Sequence, residues 1–174
     1  MNFKFIVFLL LLSSFHGKAQ QPSHFILGED ELSGINIYDL HQDYYGDYWI
    51  ATNNGIYKYD SYSIQLIECS NMTSSSVFNI IEDYNHNVYC HNLSGQIFKI
   101  HNDSGYVYFN IPDSLMSHEM SYQFDNKNQL TISTTKLFQV SEKKDITLVV
   151  DQTVSSNFKL YKDIDTNLVF YNSY

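Results

Sequence analysis

Two stretches of this 174-residue chain space their oxygen-bearing side chains as a cation site would. Asp83-Tyr84-Asn85-His86-Asn87 and Asp163-Ile164-Asp165-Thr166-Asn167 each put Asp or Asn at alternate positions, which is how a calcium loop opens. Such a loop then needs Gly at its sixth position, for a sharp turn, and a bidentate Glu at its twelfth. Val88 and Leu168 occupy the sixth positions, and Ser94 the twelfth after Asp83. These oxygens are therefore read as turn formers, since Asp and Asn accept hydrogen bonds from N–H groups two residues on. His41, His86, His91 and His101 share no ligand spacing with Cys or an acid, so no metal site is expected. His86 belongs to a turn; His41 and His91 fall in strands that face a groove or the core. No Gly-x-Ser-x-Gly nucleophile elbow occurs. No catalytic residue, metal ligand or cofactor site is assigned, and no cofactor is expected.

Cys69 and Cys90 cannot make a zinc site or a disulfide framework by themselves. Both fall in expected strands, where Cys commonly behaves as a small buried apolar residue. Core thiols are the preferred reading over a bridge, although an exported chain could oxidise them.

The elements that must hold these residues repeat. The stretch from Ile37 to Asp60 contains the lone tryptophan, Trp49. It reads as strands Ile37–Gln42, Tyr48–Thr52 and Ile56–Tyr59, with turns at Asp43–Asp47 and at Asn53-Asn54-Gly55. Asn-Gly between apolar runs is a strong hairpin signal, because both residues accept positive φ. Shifted by 40 residues, Val77 falls on Ile37, Asp83 on Asp43, Tyr89 on Trp49 and Gly95 on Gly55. A weaker copy turns at Asp125-Asn126-Lys127-Asn128 and continues through Leu130–Ser133 and Leu137–Val140. A fourth begins at Phe158–Tyr161 and turns near Asp163–Asn167, where β-branched Thr166 fits badly at the turn position that demands positive φ. The turn aspartates stand at 43, 83, 125 and 163, so the intervals are 40, 42 and 38 residues.

A period near forty built from short strands is the mark of propeller blades. Fourth strands are supplied by Ser63–Ile67, Tyr106–Phe109 and Ile146–Val150. The turn position held by Gly46, His86 and Asn128 calls for residues that tolerate positive φ. Second strands such as Tyr48-Trp49-Ile50-Ala51 are apolar on both faces, as expected when each sheet is covered on both sides. One helical turn is expected within Ser114–Met120. The fold class expected is all-β, an incomplete β-propeller of four-stranded antiparallel blades over 20–174. About three and a half blades fit, at 35–69, 75–110, 119–150 and a truncated 157–174. Ser23–Leu27 reads as a strand without a blade before it. The chain is read as the N-terminal piece of a longer ring.

Composition agrees. With 44% hydrophobic residues, 15 Tyr and 12 Phe, a packed strand-rich core is feasible. A net charge of −9 without a Lys/Arg cluster argues against nucleic acid and anionic membranes as partners. Lys4, the apolar run Phe5–Leu12, and Gly17 and Ala19 at small-x-small spacing read as a signal peptide over 1–19, cut after Ala19. The run is shorter than the ~20 residues a membrane span needs.

The stretch around Trp49 resembles the two-component regulator propeller repeat. The matching residues are Gln42-Asp43, Gly46, Tyr48-Trp49-Ile50, Thr52, Asn54-Gly55 and Tyr57-Lys58-Tyr59-Asp60, with Leu32-Ser33 upstream. The resemblance thins where Thr131 and Val169 replace Trp. It marks Asp43, Gly46, Trp49, Thr52, Gly55, Asp83, Gly95 and Asp125 as repeat-defining structural residues. It implies the sensor half of a bacterial histidine kinase, lying on the periplasmic side of the inner membrane. A transmembrane helix and a kinase module, on which a phosphorelay would depend, are implied beyond this chain. The partners implied are an unknown small-molecule or glycan ligand, the remaining blades and the kinase module, in a full-length homodimer. The alternatives are a secreted propeller that binds carbohydrate or protein with no kinase, and a propeller enzyme such as a lyase. In a bacterial protein the sequons at Asn71, Asn92 and Asn102 would be chance matches.

Overall fold

The computed structural model describes residues 26–117, 120–150, 158–162 and 168–172. The leader at 1–19 and the turn Asp163–Asn167 lie outside the described residues.

Strands form where the repeat places them. A first meander runs β1 (Ile37–Gln42), β2 (Tyr48–Thr52), β3 (Gly55–Tyr59) and β4 (Ile64–Cys69). A second runs β5 (Val77–Glu82), β6 (Val88–Asn92), β7 (Gln96–His101) and β8 (Ser104–Asn110). A third runs β9 (Ser121–Phe124), β10 (Leu130–Ser133), β11 (Leu137–Val140) and β12 (Ile146–Val150). The hairpin β13 (Phe158–Lys162) and β14 (Leu168–Asn172) follows. Every pairing within a meander is antiparallel. A 3-10 turn at Asp113–Leu115 lies in the connection from β8 to β9. The expected all-β propeller fold is what forms: three four-stranded meanders, the first, second and third sheets, pack through their faces, and one short parallel pairing of β4 with β8 joins the first two at their edges.

The first strands of the sheets neighbour one another, β1 beside β5, β5 beside β9 and β9 beside β13. The second sheet is therefore covered on both faces, and its side chains divide by the two-residue period of a strand. Val88 and Cys90 on β6 face the first sheet, joining Trp49, Ala51, Ile56 and Ile67. Tyr89 between them faces the third sheet, joining Tyr122, Phe124, Leu130, Ile132 and Phe138. That is why β6 is buried along its whole length and why its sequence shows no apolar-polar alternation.

Two local features differ from expectation. The strand expected over Ser23–Leu27 does not reach the described residues: Ile26 is irregular and 27–34 are turns. A bond from Leu32 N–H to Gly28 O at 2.9 Å closes the first of these turns. Strand β4 runs on to Cys69, because Glu68 and Cys69 pair in parallel with Ser104 and Gly105 of the next sheet. A contact so distant in sequence leaves no hairpin signal.

Neighbouring sheets are also tied by single hydrogen bonds. Asp39 Oδ2 accepts Ile80 N–H at 2.7 Å, and Ser121 Oγ accepts Leu160 N–H at 3.1 Å. Tyr122 O–H donates to Asn79 O at 2.8 Å. Asn79 lies in the register irregularity of β5, at φ 49°, which frees its carbonyl from its own ladder; Asp39 stays in register with Ala51, just past the irregularity in β1, and reaches the next sheet by its side chain.

Candidate functional site

The turn between the first two strands of each sheet is built the same way three times. Asp43 Oδ1 accepts N–H from Tyr45 and Asp47 at 2.9 and 3.0 Å. Asp83 Oδ1 accepts from Asn85 and Asn87 at 2.8 and 2.9 Å, and Asp125 Oδ1 from Lys127 and Gln129 at 2.8 and 2.9 Å. Each turn passes through the left-handed region, at Gly46 (φ 96°), His86 (φ 61°) and Asn128 (φ 57°). The second carboxylate oxygen ties the turn to strand two: Trp49 Nε1 donates to Asp43 Oδ2 at 2.8 Å, and Tyr89 O–H to Asp83 Oδ2 at 3.0 Å. The Asp83 carboxylate is thus engaged by its own turn and by strand two, with Asn87 Nδ2 also on it.

The second turn repeats too. Thr52 Oγ1 donates to Gly55 O at 2.7 Å and accepts Asn54 N–H at 3.0 Å. Asn92 Oδ1 takes the same place, accepting Ser94 and Gln96 N–H at 3.0 and 3.1 Å. Gly95 lies at φ 74°, and a Cβ there would collide with Met116 Sδ. The eight repeat-defining residues are therefore spread over three sheets as turn and packing groups, and the fold does not gather them into one cleft.

What the turns do present is an aromatic ridge. Tyr44 and Tyr45 are 70% and 73% exposed at the tip of the first turn. Tyr44 stacks on the His86 ring at 3.9 Å and meets Tyr45 edge-on at 5.4 Å. A groove of about 530 Å³ runs along one side, lined by His41, Tyr44, Glu82, Tyr84 and Gln123. A second of about 480 Å³ runs along the other, past Tyr45, Asp47, Lys58, Asn87 and Asp103. Lys58 Nζ bridges Asp103 and Asp47 at 2.9 and 3.0 Å and lies 5.4 Å from the Trp49 ring centroid. Partial burial alone would lower the Lys58 pKa, but the Asp103 and Asp47 bonds outweigh it and raise it. Glu82 accepts Tyr44 N–H at 3.1 Å and meets His86 Nδ1 at 2.9 Å. From the sequence alone, 43–47 reads only as a turn. The visible clue was a pair of tyrosines at a turn tip, where strand packing gives no reason for them.

A smaller cavity of about 190 Å³ lies over His91, Asn92, Leu93, Met116, Ser117 and Met120. Burial drives the His91 pKa down to about 4, against a weaker opposing pull from Asn92 O. Its ring lies between Phe78 and Tyr122, 5.8 and 5.7 Å away. His91 is thus a neutral core group at neutral pH. Cys90 is buried beside the first sheet, and Cys69 is partly buried; both are free thiols.

Among the described residues no helix is long and apolar enough to cross a membrane. Among the described residues no group of three or more His, Cys, Asp or Glu could hold a metal ion.

Residues 31–54 match the model of the two component regulator propeller family. No curated protein matches the chain. Among solved structures, virginiamycin B lyase from Staphylococcus aureus superimposes with a TM-score of 0.60 at 20% identity, over 78% of this chain and 48% of the lyase. The extracellular domain of the putative hybrid two component system BT4673 from B. thetaiotaomicron gives 0.62 at 16% identity, over 79% of this chain and 22% of that one. The corresponding BT3049 domain gives 0.59 at 16% identity, over 78% and 20%. This chain thus spans about half the length of the lyase and about a fifth of the extracellular domains. At these identities the likeness is one of fold. Residues 31–54 match the two component regulator propeller repeat, and the sheets around them share the fold of these β-propeller structures.

Proposed function

We propose that this chain is an extracytoplasmic ligand-sensing propeller of a bacterial two-component sensor system. The repeat at 31–54 carries the reading. It is supported by a fold shared with the extracellular domains of two hybrid two component systems. The chain is exported by its leader, and a membrane-anchored histidine kinase reads the propeller out as a homodimer. The ligand is a small molecule or glycan received at the Tyr44–Tyr45 ridge. Exposed rings offer apolar faces on which a sugar ring can lie, and the grooves beside them offer Glu82, Gln123, Asn87 and Asp103 as hydrogen-bonding groups. Ligand binding alters signalling only through different affinities for two arrangements of the protein.

Calorimetric titration of the purified chain with a panel of oligosaccharides tests the site. Binding by the parent that is lost in Tyr44→Ala supports it; binding that survives Tyr44→Ala and Tyr45→Ala together overturns it. The output is tested by the complete reading frame. A transmembrane helix followed by a histidine-kinase region supports the sensor. A stop codon directly after the propeller supports a secreted binding propeller instead.

A further inference from the structure

The joint between the first two sheets carries one amine and two carboxylates. Lys58 on β3 is the register partner of Trp49. Asp47 holds it from its own sheet, and Asp103 from the β7–β8 turn of the next. The joint between the second and third sheets uses the same positions with other residues. Lys99 takes the place of Lys58, in register with Tyr89 and 5.7 Å from that ring centroid. Asn87 takes the place of Asp47, one repeat on. The turn that follows the third strand, which brings Asp103 to the first joint, brings Lys144 to this one. Lys144 Nζ lies 3.0 Å from the Tyr108 ring centroid, and Tyr108 meets Tyr89 edge-on at 5.2 Å. The two acids of the first joint are thus replaced by an amide and a second amine.

Among the described residues, no carboxylate forms an ion pair with Lys99 or Lys144. Asp83 is nearby but is engaged by its own turn, by Asn87 Nδ2 and by Tyr89 O–H. Glu142 is exposed on the same turn as Lys144 and pairs with neither amine. Partial burial, and after it the nearby Lys99 amine, hold the Lys144 pKa down to about 8, as expected when like charges share a site. The ring faces favour a cation and keep the amines in place. They do not use up the three donors that each ammonium carries. In a chain of net charge −9, this joint is a local concentration of positive charge.

We propose that the joint between Lys99 and Lys144 binds an oxyanion, the sulfate or carboxylate group of a small ligand. Lys99 reaches it from the second sheet and Lys144 from the third, so the anion is gripped from two sheets at once. Hydrogen bonds from ammonium groups to an anion are roughly twice as strong as neutral ones. The first joint needs no such ligand, because Asp47 and Asp103 already supply the oxygens. The site does not depend on the Tyr44–Tyr45 ridge, so failure of saccharide binding there leaves it standing.

Calorimetric titration of the purified chain with sodium sulfate and with sodium glucuronate, at constant ionic strength in chloride buffer, tests it. Binding of sulfate places recognition in the oxyanion itself; binding of glucuronate alone makes a sugar carboxylate the group recognised. Lys99→Gln and Lys144→Asn should each weaken that binding about tenfold or more. Gln139 already stands at the equivalent position of the third sheet, and Asn tolerates the φ of 70° at position 144. Lys144→Asp, which rebuilds the pairing of the first joint, should abolish binding. Where a variant fails to fold, acylation of the parent's amines carries the test: the bound anion slows labelling of Lys99 and Lys144 and leaves that of Lys58 unchanged. Absence of binding by both anions at millimolar concentration, binding that survives Lys99→Gln and Lys144→Asn together, or equal slowing at all three lysines overturns the proposal.

Discussion

Trp49 Nε1 donates to Asp43 Oδ2 at 2.8 Å, so the lone tryptophan is bonded to the aspartate that organises the turn before it. The same carboxylate closes the turn through Tyr45 and Asp47 N–H. Family-marking residues at both positions thus form one unit, half turn closure and half strand anchoring. Asp43→Ala leaves the partly buried indole N–H and two backbone N–H groups without this acceptor. The expected cost is about 1.5–3 kcal/mol, the range for hydrogen bonds to a charged group. Trp49 reports it directly: urea unfolding followed by tryptophan fluorescence shifts to a lower midpoint, and Asp43→Asn shifts less because one oxygen remains. An unchanged midpoint in Asp43→Ala would show that the unit adds nothing to stability.

His91 makes the fold acid-sensitive. Burial holds its pKa at about 4 in the folded protein, against about 6.5 for a free imidazole. The unfolded chain therefore binds the proton first as pH falls. Stability is unaffected above about pH 6.5 and declines from there to about pH 4, by on the order of 3 kcal/mol in all. His91→Gln, which stays neutral, flattens that part of the stability-pH curve. Thermal melts across this range measure the slope, and an equal slope in the variant would assign it to other groups.

Neither thiol is set up to react in the folded protein. Burial raises the Cys69 pKa to about 11 and that of Cys90 well above its ordinary value, and the thiolate is the reactive form. An aromatic disulfide reagent at neutral pH should label neither cysteine on the minute scale, and both at once in denaturant. Rapid labelling of Cys90 without denaturant would mean that the interface between the first two sheets opens readily.

Much of the fold was legible because its rules are local. The Asp at the head of each turn, and Gly46, His86 and Asn128 at its tip, announce themselves by residue type, and positive φ at all three follows from that chemistry. Burial along the second strands could be read from Tyr48-Trp49-Ile50-Ala51, apolar on both faces and buried from Trp49 on; β6 is buried as well although His91 and Asn92 end it. The ridge and its grooves were not legible, because they arise where Tyr44 from one repeat meets His86 and Glu82 from the next. The parallel pairing of Cys69 with Gly105 was hidden for the same reason. A period of forty places residues within a repeat; it does not say which side chains cross between repeats.

The bonds between sheets supply the last test, and the chain contains its own control. Asp39 Oδ2 accepts Ile80 N–H at 2.7 Å while Oδ1 accepts Leu40 N–H at 2.9 Å. Between the third sheet and the hairpin, Ser121 Oγ does the same for Leu160 N–H at 3.1 Å. Asp39→Ala removes the acceptor and leaves Ile80 N–H facing the neighbouring sheet without a partner. The expected cost is about 1–2 kcal/mol, less than for Asp43 because fewer donors lose their acceptor. Asp39→Ser should recover a good part of it, since serine already serves at the equivalent position. Exchange of the Ile80 amide, set beside chemical denaturation, separates the local from the global effect. If Asp39→Ser exchanges as fast as Asp39→Ala, a hydroxyl cannot substitute at this joint, and the bond between the first two sheets depends on the charge of the aspartate.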